Sequence, residues 1–313
     1  MQGGSVGIVG TGQVGMAAAA ALFHSQVVSR ITLVDLDHRR AQGEAMDLMH
    51  GQALVGACGV RAGSYDDLAG AQVVVVSAGV AQKPGESRRA LLARNLEVFR
   101  DIARQLDRSA PQAVVLVATN PVDVLTLAFQ NLSSRPGTRV IGTGTLLDTA
   151  RLRALLGEHY GVDPQSVHAY VLGEHGDSEF IPWTLATIGG VPILGNEVLG
   201  TRWDPPGMDR LGEQVRRAAY DIIDCKGYTN WAIGAVIMTL TSMVLRNERA
   251  VVPVSVRLRG EYGLSGPCCS LPARVGSSGV EGVGTPPLSE PELAQLRQSV
   301  AALSSLAEGI ELG

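Results

Sequence analysis

His175 stands in Gly173-Glu174-His175-Gly176-Asp177-Ser178, among small and acidic residues, directly after the apolar run Val167 to Leu172. A histidine titrates near neutral pH, so it can take a proton from a substrate hydroxyl and return it in the reverse direction, provided a carboxylate fixes its tautomer. Asp148 is the carboxylate to pair with it. In Gly142-Thr143-Gly144-Thr145-Leu146-Leu147-Asp148-Thr149-Ala150-Arg151-Leu152-Arg153 it precedes Arg151 by three positions. A helix beginning near Leu147 puts both side chains on one face, where Asp148 can orient the imidazole while Arg151 grips a substrate carboxylate with its two-pronged guanidinium. The same spacing also serves ordinary surface ion pairs. A third charged group, Arg88, ends the stretch Ala78-Gly79-Val80-Ala81-Gln82-Lys83-Pro84-Gly85-Glu86-Ser87-Arg88, which follows the apolar strand Val73 to Val76. Glycine and proline punctuate that stretch, and a helical pattern resumes only from Leu91 to Leu106, as expected of a loop over a pocket. Closure of the loop would carry Arg88 onto a substrate ketone, where its charge polarises the carbonyl and stabilises oxyanion character as hydride arrives. A solvated surface loop is the alternative reading.

Something must supply or accept that hydride, and the N-terminus is built for it. Val6-Gly7-Ile8-Val9 runs into Gly10-Thr11-Gly12-Gln13-Val14-Gly15 and then into the alanine-rich segment Met16 to Phe23, which reads as strand, glycine turn and helix. Gly10 permits the tight turn, Gly12 lets the backbone approach a pyrophosphate, and Gly15 lets helix and strand pack closely, with the free N–H groups of the helix start facing the anion. A second apolar run, Ile31 to Val34, ends in Asp35, 20 residues after Gly15. An acid at that strand tip accepts hydrogen bonds from both ribose hydroxyls and repels a 2′-phosphate, so NAD is expected over NADP.

The elements that position these groups follow from hydrophobic pattern. Strands near Val6, Ile31, Val60, Val73, Val114 and Val140 alternate with helical segments, the signature of an open, doubly wound parallel (Rossmann) α/β sheet over residues 1–142. Residues 143–313 read as an α+β substrate domain that supplies the histidine. It has helices near Asp148–Glu158, Met208–Asp224 and Trp231–Leu245 and strand-like stretches at Val167–Leu172, Ile181–Ile188 and Val251–Leu258. Ser289 with Glu292 three residues on predicts a capped last helix through Leu306, set off by a glycine- and proline-rich link from Gly276 to Pro287.

Composition bounds the function. With 45% hydrophobic residues among 313, the chain can bury sizeable cores, and 26 bases against 30 acids, unclustered, argue against a nucleic-acid partner. The longest late apolar run, Trp231 to Leu245, is interrupted by Gly234, Thr239, Thr241 and Ser242, and reads as a buried or interface helix, not a membrane span. Cys58, Cys225, Cys268 and Cys269 show no metal-ligand spacing, and no metal is expected. Reduced thiols and a first strand close behind Met1, with no signal peptide expected, point to the cytoplasm.

Together these motifs resemble the lactate and malate dehydrogenase family over essentially the whole chain. Ala118-Thr119-Asn120-Pro121-Val122-Asp123 is similar to the family's asparagine-proline turn, Lys226-Gly227-Tyr228-Thr229 to its substrate-pocket segment, and Ser270-Leu271-Pro272 with Gly276 to Val280 to its C-terminal strand signature. The resemblance implies His175 as acid/base oriented by Asp148, Arg151 as carboxylate clamp, and Arg88 as carbonyl polariser. It adds Gln82, Asn120, Asp123 and Thr229 to the substrate pocket. Around NAD it implies Gly10, Gly12, Val14, Gly15, Asp35, Arg40, Tyr65, Gly79, Val80, Thr119, Asn120 and Thr143.

Within the family, malate enzymes resemble this chain but carry arginine where Gln82 stands. A neutral glutamine would leave the second carboxylate of oxaloacetate buried without a partner, a penalty of roughly 3–5 kcal/mol, so the resemblance implies pyruvate and L-lactate as substrates. Malate, a branched-chain 2-hydroxyacid, or a non-catalytic NAD-binding role are the alternatives. Arg153 and His168 match positions that bind fructose 1,6-bisphosphate in the allosteric bacterial members. Two cations suit a phosphate ligand, and the resemblance implies a homo-oligomer, dimer or tetramer, of which these two positions favour the tetramer. The segment Leu199 to Arg210, with Trp203 and Pro205-Pro206, falls in a region that varies within the family and matches no motif of it, and Arg89-Ala90 depart from the pair usual after the loop arginine.

Overall fold

The computed structural model describes residues 3–80 and 88–308, with Arg88 and Arg89 described through their backbone alone. The first half is six strands, β1 (Gly4–Val9), β2 (Val28–Val34), β3 (Gly59–Ala62), β4 (Val73–Val76), β5 (Val114–Val117) and β6 (Val140–Gly142). Between them run helices α1 (Gln13–Ser25), α2 (His38–His50), the single turn α3 (Gln52–Val55), α4 (Arg88–Ser109) and α5 (Val122–Leu132). The strands lie parallel in the order β6-β5-β4-β1-β2-β3. β4 and β5 are all-aliphatic and wholly buried, as a parallel strand covered by helices on both faces must be.

Registry puts the carboxyl ends of five strands in one row. Val34 pairs with Val9, Val9 with Val76, Val76 with Val117 and Val117 with Gly142. Asp35, the Gly10 turn, Gly79, Thr119 and Thr143 therefore all follow the same edge of the sheet, the side on which open α/β sheets bind ligands.

The second half begins with α6 (Leu146–Tyr160), followed by a three-stranded antiparallel sheet of β7 (Val167–His168), β8 (Thr187–Ile188) and β9 (Val191–Pro192) and the hairpin β10 (Glu197–Val198) and β11 (Thr201–Arg202). Helices α7 (Pro205–Lys226) and α8 (Trp231–Arg246) come next, then β12 (Ala250–Arg259), β13 (Ser265–Gly276) and β14 (Gly279–Val283), and last α9 (Glu290–Ala307). Strands β12, β13 and β14 extend the nucleotide sheet antiparallel beyond β6, joined through the pair Ser255 and Gly142.

Several elements differ from expectation. Only Val167–His168 of the run to Leu172 is strand, and Leu172 instead forms an isolated bridge with Phe180. Ile181–Ile188 contains a 3₁₀ turn at Trp183–Leu185 and reaches extended pairing only at its end, because Pro182 cannot donate to a ladder. The link from Gly276 to Pro287 holds strand β14, whose short alternation Gly279-Val280-Glu281-Gly282-Val283 hides among glycines. The unfamiliar segment at 199–210 forms β11 and the start of α7, with Trp203 edge-on to Trp183 at 5.3 Å.

Two apolar cores result. The larger clothes the main sheet and includes β12, β13, α8 and α9. α8 rests on α1 at a small-residue crossing, since a Cβ at Gly234 would come within 2.8 Å of the Ala17 backbone. The smaller joins Leu152, Leu156 and Tyr160 of α6 to Val167, Ile188, Met208 and Val215. α6 touches both cores, and it carries Asp148 and Arg151. Among the described residues no helix is long and apolar enough to cross a membrane.

Candidate active site

The histidine loop is fixed from both ends before any side chain acts. Gly173 exchanges backbone hydrogen bonds with Ser270 of β13 at 3.0 and 2.8 Å, and Leu172 does so with Phe180. Gly173 needs its φ of +91°, and a Cβ there would meet Ser299 Oγ at 2.5 Å. Ser299 on α9 instead accepts the Glu174 N–H at 2.6 Å. The His175 N–H donates to Asp123 Oδ2 at 2.8 Å, and Asp123 Oδ1 accepts from Ser255 Oγ on β12. Three elements distant in sequence thus hold three consecutive residues.

α6 is fastened to the strand that feeds this loop. The Thr145 hydroxyl donates to the Val171 carbonyl at 2.5 Å, and the Val171 N–H donates to Thr149 Oγ1 at 2.9 Å. Residue 171 is therefore clamped across the first turn of α6, which brings Asp148 to His175: Asp148 Oδ2 lies 2.6 Å from His175 Nδ1. The other oxygen, Oδ1, accepts from Arg151 at 2.7 Å, through the three-residue helical spacing. A carboxylate only accepts, so it places a proton on Nδ1 and leaves Nε2 for proton exchange. Burial opposes charge on His175, but the Asp148 carboxylate overrides it and raises the imidazole from 6.5 to about 9. Asp148 itself is held below the ordinary carboxylate range, burial being outweighed by His175 and Arg151.

Asp123 is buried and faces the backbone of the loop, a strut under His175. Burial raises its acid to about 6 in spite of the bonds from Ser255 and His175. Asn120 is exposed beyond the end of β5, and Thr229 is half-buried just before α8. Gln82 lies outside the described residues, as does the side chain of Arg88 at the start of α4.

The cofactor positions meet along the row of strand ends. Gly10 adopts φ +99°, and a Cβ on Gly15 would collide with the Gly10 carbonyl at 1.9 Å, so both glycines serve turn and packing. A Cβ on Gly12 would meet nothing within 4 Å, and no side chain caps α1 there, which leaves helix N–H groups facing open space. That concavity fits a pyrophosphate. Asp35 Oδ2 accepts from the Thr11 N–H and hydroxyl at 2.6 and 2.8 Å, and Oδ1 from the Asp37 N–H at 2.9 Å. Burial would raise this acid, but those bonds and Arg40 hold it low, so it is a pre-aimed anion beside the turn. Val14 is half-buried on the first turn of α1, and Tyr65 three residues past β3 is pushed up to about 12 by burial and by Asp101 and Asp35. Gly79 closely faces Thr119, whose hydroxyl donates to the Ala78 carbonyl at 2.8 Å, and the Val80 N–H donates to Asn95 Oδ1 at 3.0 Å. Thr143 is buried, bonded through its N–H to the Val117 carbonyl.

Away from this edge, Arg153 of α6 donates to the Pro164 and Gln165 carbonyls at 3.3 and 3.2 Å, in the 3₁₀ turn that leads into exposed His168. Sequence reasoning passed over Ser299, Ser255 and Glu179. Ser299 follows Leu296 on the buried stripe of α9, and Ser255 interrupts the apolar run of β12; a lone hydroxyl in an apolar stripe signals a buried polar partner.

Comparison with known proteins agrees with this geometry. Residues 5–142 match the family described as lactate/malate dehydrogenase, NAD binding domain, and residues 145–311 its alpha/beta C-terminal domain. The chain is 55% identical to the L-lactate dehydrogenase of Salinibacter ruber, over 99% of this chain and 98% of that one. It is 47% identical to that of Thermus aquaticus, over 97% and 99%. The crystal structure of the minor L-lactate dehydrogenase from Enterococcus mundtii superposes over 100% of both chains with a TM-score of 0.96 at 38% identity. On the matched halves, the shared fold and the glycine turn, strand-tip acid and histidine-aspartate pair in register, the chain belongs to the lactate/malate dehydrogenase family.

Proposed function

We propose that the chain is an NAD-dependent L-lactate dehydrogenase, interconverting pyruvate and L-lactate. The observation that carries this is the relay from Arg151 through Asp148 to His175, in which the carboxylate is buried and engages Nδ1 while the imidazole side chain keeps 22% of its surface exposed. NAD, when bound, supplies the hydride acceptor and donor. In pyruvate reduction protonated His175 gives its Nε2 proton to the oxygen that becomes the hydroxyl, and in the reverse direction neutral His175 takes it back. Asp148 stabilises the imidazolium in both directions. Arg151 anchors the substrate carboxylate with the donors Asp148 leaves free, and Arg88 polarises the ketone. Asn120, Asp123 and Thr229 complete the pocket, with Asp123 acting from beneath the loop.

Gln82 directs the choice of substrate toward pyruvate by withholding the positive charge oxaloacetate needs. Residues 1–142 form the nucleotide unit and 143–313 the substrate unit. Arg153 and His168 bind fructose 1,6-bisphosphate between subunits of a tetramer. Support for association comes from exposed Tyr220, Ile223, Tyr228 and Trp231, clustered where α7 passes into α8, and from Leu54, which is 90% exposed on α3. A cytoplasmic place in pyruvate fermentation fits the proposed reaction, and the four free cysteines are in keeping with it.

NADH oxidation at 340 nm with pyruvate and with oxaloacetate, each with and without fructose 1,6-bisphosphate, tests the reading. Pyruvate should be preferred by at least about a hundredfold, the value of an unpaired buried carboxylate. A preference for oxaloacetate would overturn the specificity argument, and saturation curves unchanged by the bisphosphate would overturn the allosteric one. Full turnover in His175→Asn would remove the assigned acid/base.

A further inference from the structure

A second buried acid completes the proton-transfer cluster. Glu179 is 7% exposed, and one carboxyl oxygen lies within 4.8 Å of both a His175 ring nitrogen and an Asp148 oxygen. Its N–H donates to the Gly176 carbonyl at 3.1 Å, closing the turn that carries His175, so loop and acid move as one piece. The charged groups facing it are Asp148 and Arg151 from α6, His175 from the loop and Arg216 from α7, while Asp123 of α5 faces His175 from below. The trio does not suit a cation, because Arg151 already occupies one oxygen of Asp148 at 2.7 Å. It suits a proton shared among acids and an imidazole.

Two carboxylates this close to each other and out of water do not both ionise readily. Asp148 is the one held charged, by His175 and Arg151. Glu179 bears the cost: burial first, and then the Asp148 charge, push it up to about 8 against the pull of His175, Arg216 and Arg151. Both groups are pushed up, the acid by burial and the Asp148 charge and the imidazole by Asp148, so they titrate in the same alkaline range, where each one's charge favours the other's.

We propose that Glu179 is a positioning residue for the proton on His175, an acid whose ionisation beside the imidazolium keeps that proton in place as the medium turns alkaline. This rests on the reading of His175 as the proton donor. The consequence is a pyruvate-reducing enzyme whose protonated form survives further into the alkaline range than the Asp148 pair alone would allow.

Glu179→Gln has the shape of the protonated acid and cannot take the charge. In the full chain with saturating NADH, kcat/KM for pyruvate should stay within about threefold of the parent at pH 6, while the alkaline limb falls to lower pH by at least about half a unit. That is the shift a unit charge at this distance produces even through a water-like dielectric. Glu179→Asp, which keeps a charge, should restore part of the limb. A limb unmoved, whether or not the rate falls at all pH values, would overturn the proposal, since a merely structural role lowers activity without displacing the profile. NMR titration of ¹³C-labelled His175, assigned with His175→Asn, reads the same quantity without turnover. The parent imidazole should hold its proton to a pH at least about half a unit higher than in Glu179→Gln, and coincident titration curves would overturn the idea. Failure of the parent to reduce pyruvate would instead strike the functional reading and leave this titration to decide on Glu179.

Discussion

Asp148→Asn isolates charge from shape. Asparagine can still accept the Nδ1 proton of His175 through its amide oxygen, so the ring keeps its orientation while the negative charge disappears. In the parent, burial alone would depress the imidazole, yet Asp148 at 2.6 Å raises it from 6.5 to about 9, a gap worth roughly 3 kcal/mol of preference for the imidazolium. At pH 7.5 the parent is therefore almost fully protonated. Without that charge the imidazole falls back toward its ordinary 6.5, burial then being opposed only by Asp123 and Glu179, and at 6.5 the protonated fraction at pH 7.5 is roughly a tenth. Pyruvate reduction, followed as kcat/KM at saturating NADH between pH 5 and 10, should lose up to about tenfold at pH 7.5 and recover to within about twofold of the parent near pH 6. The recovery is diagnostic. Arg151 also loses its partner at 2.7 Å, which can disturb substrate binding, but that disturbance does not follow pH in this range. A uniform loss at every pH, or an alkaline limb still near 9, would refute Asp148 as the source of the shift. Stability carries the same signature. The folded imidazole lies above its unfolded value, so the stabilisation from this pair is complete below 6.5 and lost as pH rises through about 9. The parent should show a decline in Tm over that window that the variant lacks.

Ser299→Ala leaves the half-buried Glu174 N–H without its acceptor, at a cost of about 1 kcal/mol or more, and should lower both Tm and kcat; an unchanged Tm and turnover would show that the loop does not depend on α9. Two glycines make a contrasting pair. Gly144→Ala forces a Cβ to 2.4 Å from Ser270 Oγ and 2.5 Å from the Ser255 nitrogen at φ +53°, and thermal melts should show a loss of more than about 3 kcal/mol or no soluble protein. Gly12→Ala meets open space, so the unfolding free energy should hold within about 0.5 kcal/mol while NADH affinity by fluorescence titration falls at least about tenfold, and retained affinity would remove the pyrophosphate from that turn. Arg135, with a side chain 1% exposed, pairs with Asp107 at 3.0 Å, and Arg135→Met should cost about 3–5 kcal/mol in urea unfolding. Burial opposes ionisation of Asp107, but bonds from Ser133, Ser134 and Arg135 hold it below 3.8. Its stabilisation is then full above the ordinary carboxylate range and lost as pH falls through it, a slope that should flatten in the variant.

What could be read in the sequence was whatever depends on neighbours along the chain. The glycine turn, Asp35 at the end of Ile31 to Val34, the helix phase of Asp148 and Arg151 and the capping box of Ser289 and Glu292 are each settled within a few residues, and each stands in the structure where its pattern placed it. The strand from Val167 to Leu172 was misjudged for the opposite reason. Its apolar run satisfies the pattern of a strand, but its partners are set by tertiary contacts: the Val171 N–H donates to Thr149 of α6, its carbonyl accepts from Thr145 just before that helix, and Leu172 exchanges backbone hydrogen bonds with Phe180. Strand β14 was lost among glycines because its pairing with β13 at Val275 and Gly276 supplies the regularity that composition does not.

The same distinction explains why the proposed acid/base was visible and its supports were not. Histidine, aspartate and arginine declare a chemistry by residue type. Asp123, Ser255, Ser270 and Ser299 declare nothing until the chain is folded, and they come from α5, β12, β13 and α9. The contact that gathers them is the pairing of Ser255 with Gly142, where the antiparallel strands of the second half join the parallel sheet of the first. That pairing sets Ser255 Oγ against Asp123, Asp123 against the His175 N–H, and a Cβ on Gly142 would come within 2.7 Å of the Ser255 side chain. The junction of the two halves and the placement of the catalytic loop are thus one structural event. A buried hydroxyl and carboxylate are tolerable there because each satisfies the other and the loop N–H completes the set. Apolar substitution at Ser255 would strip the buried Asp123 of one donor and so loosen His175 from beneath its loop.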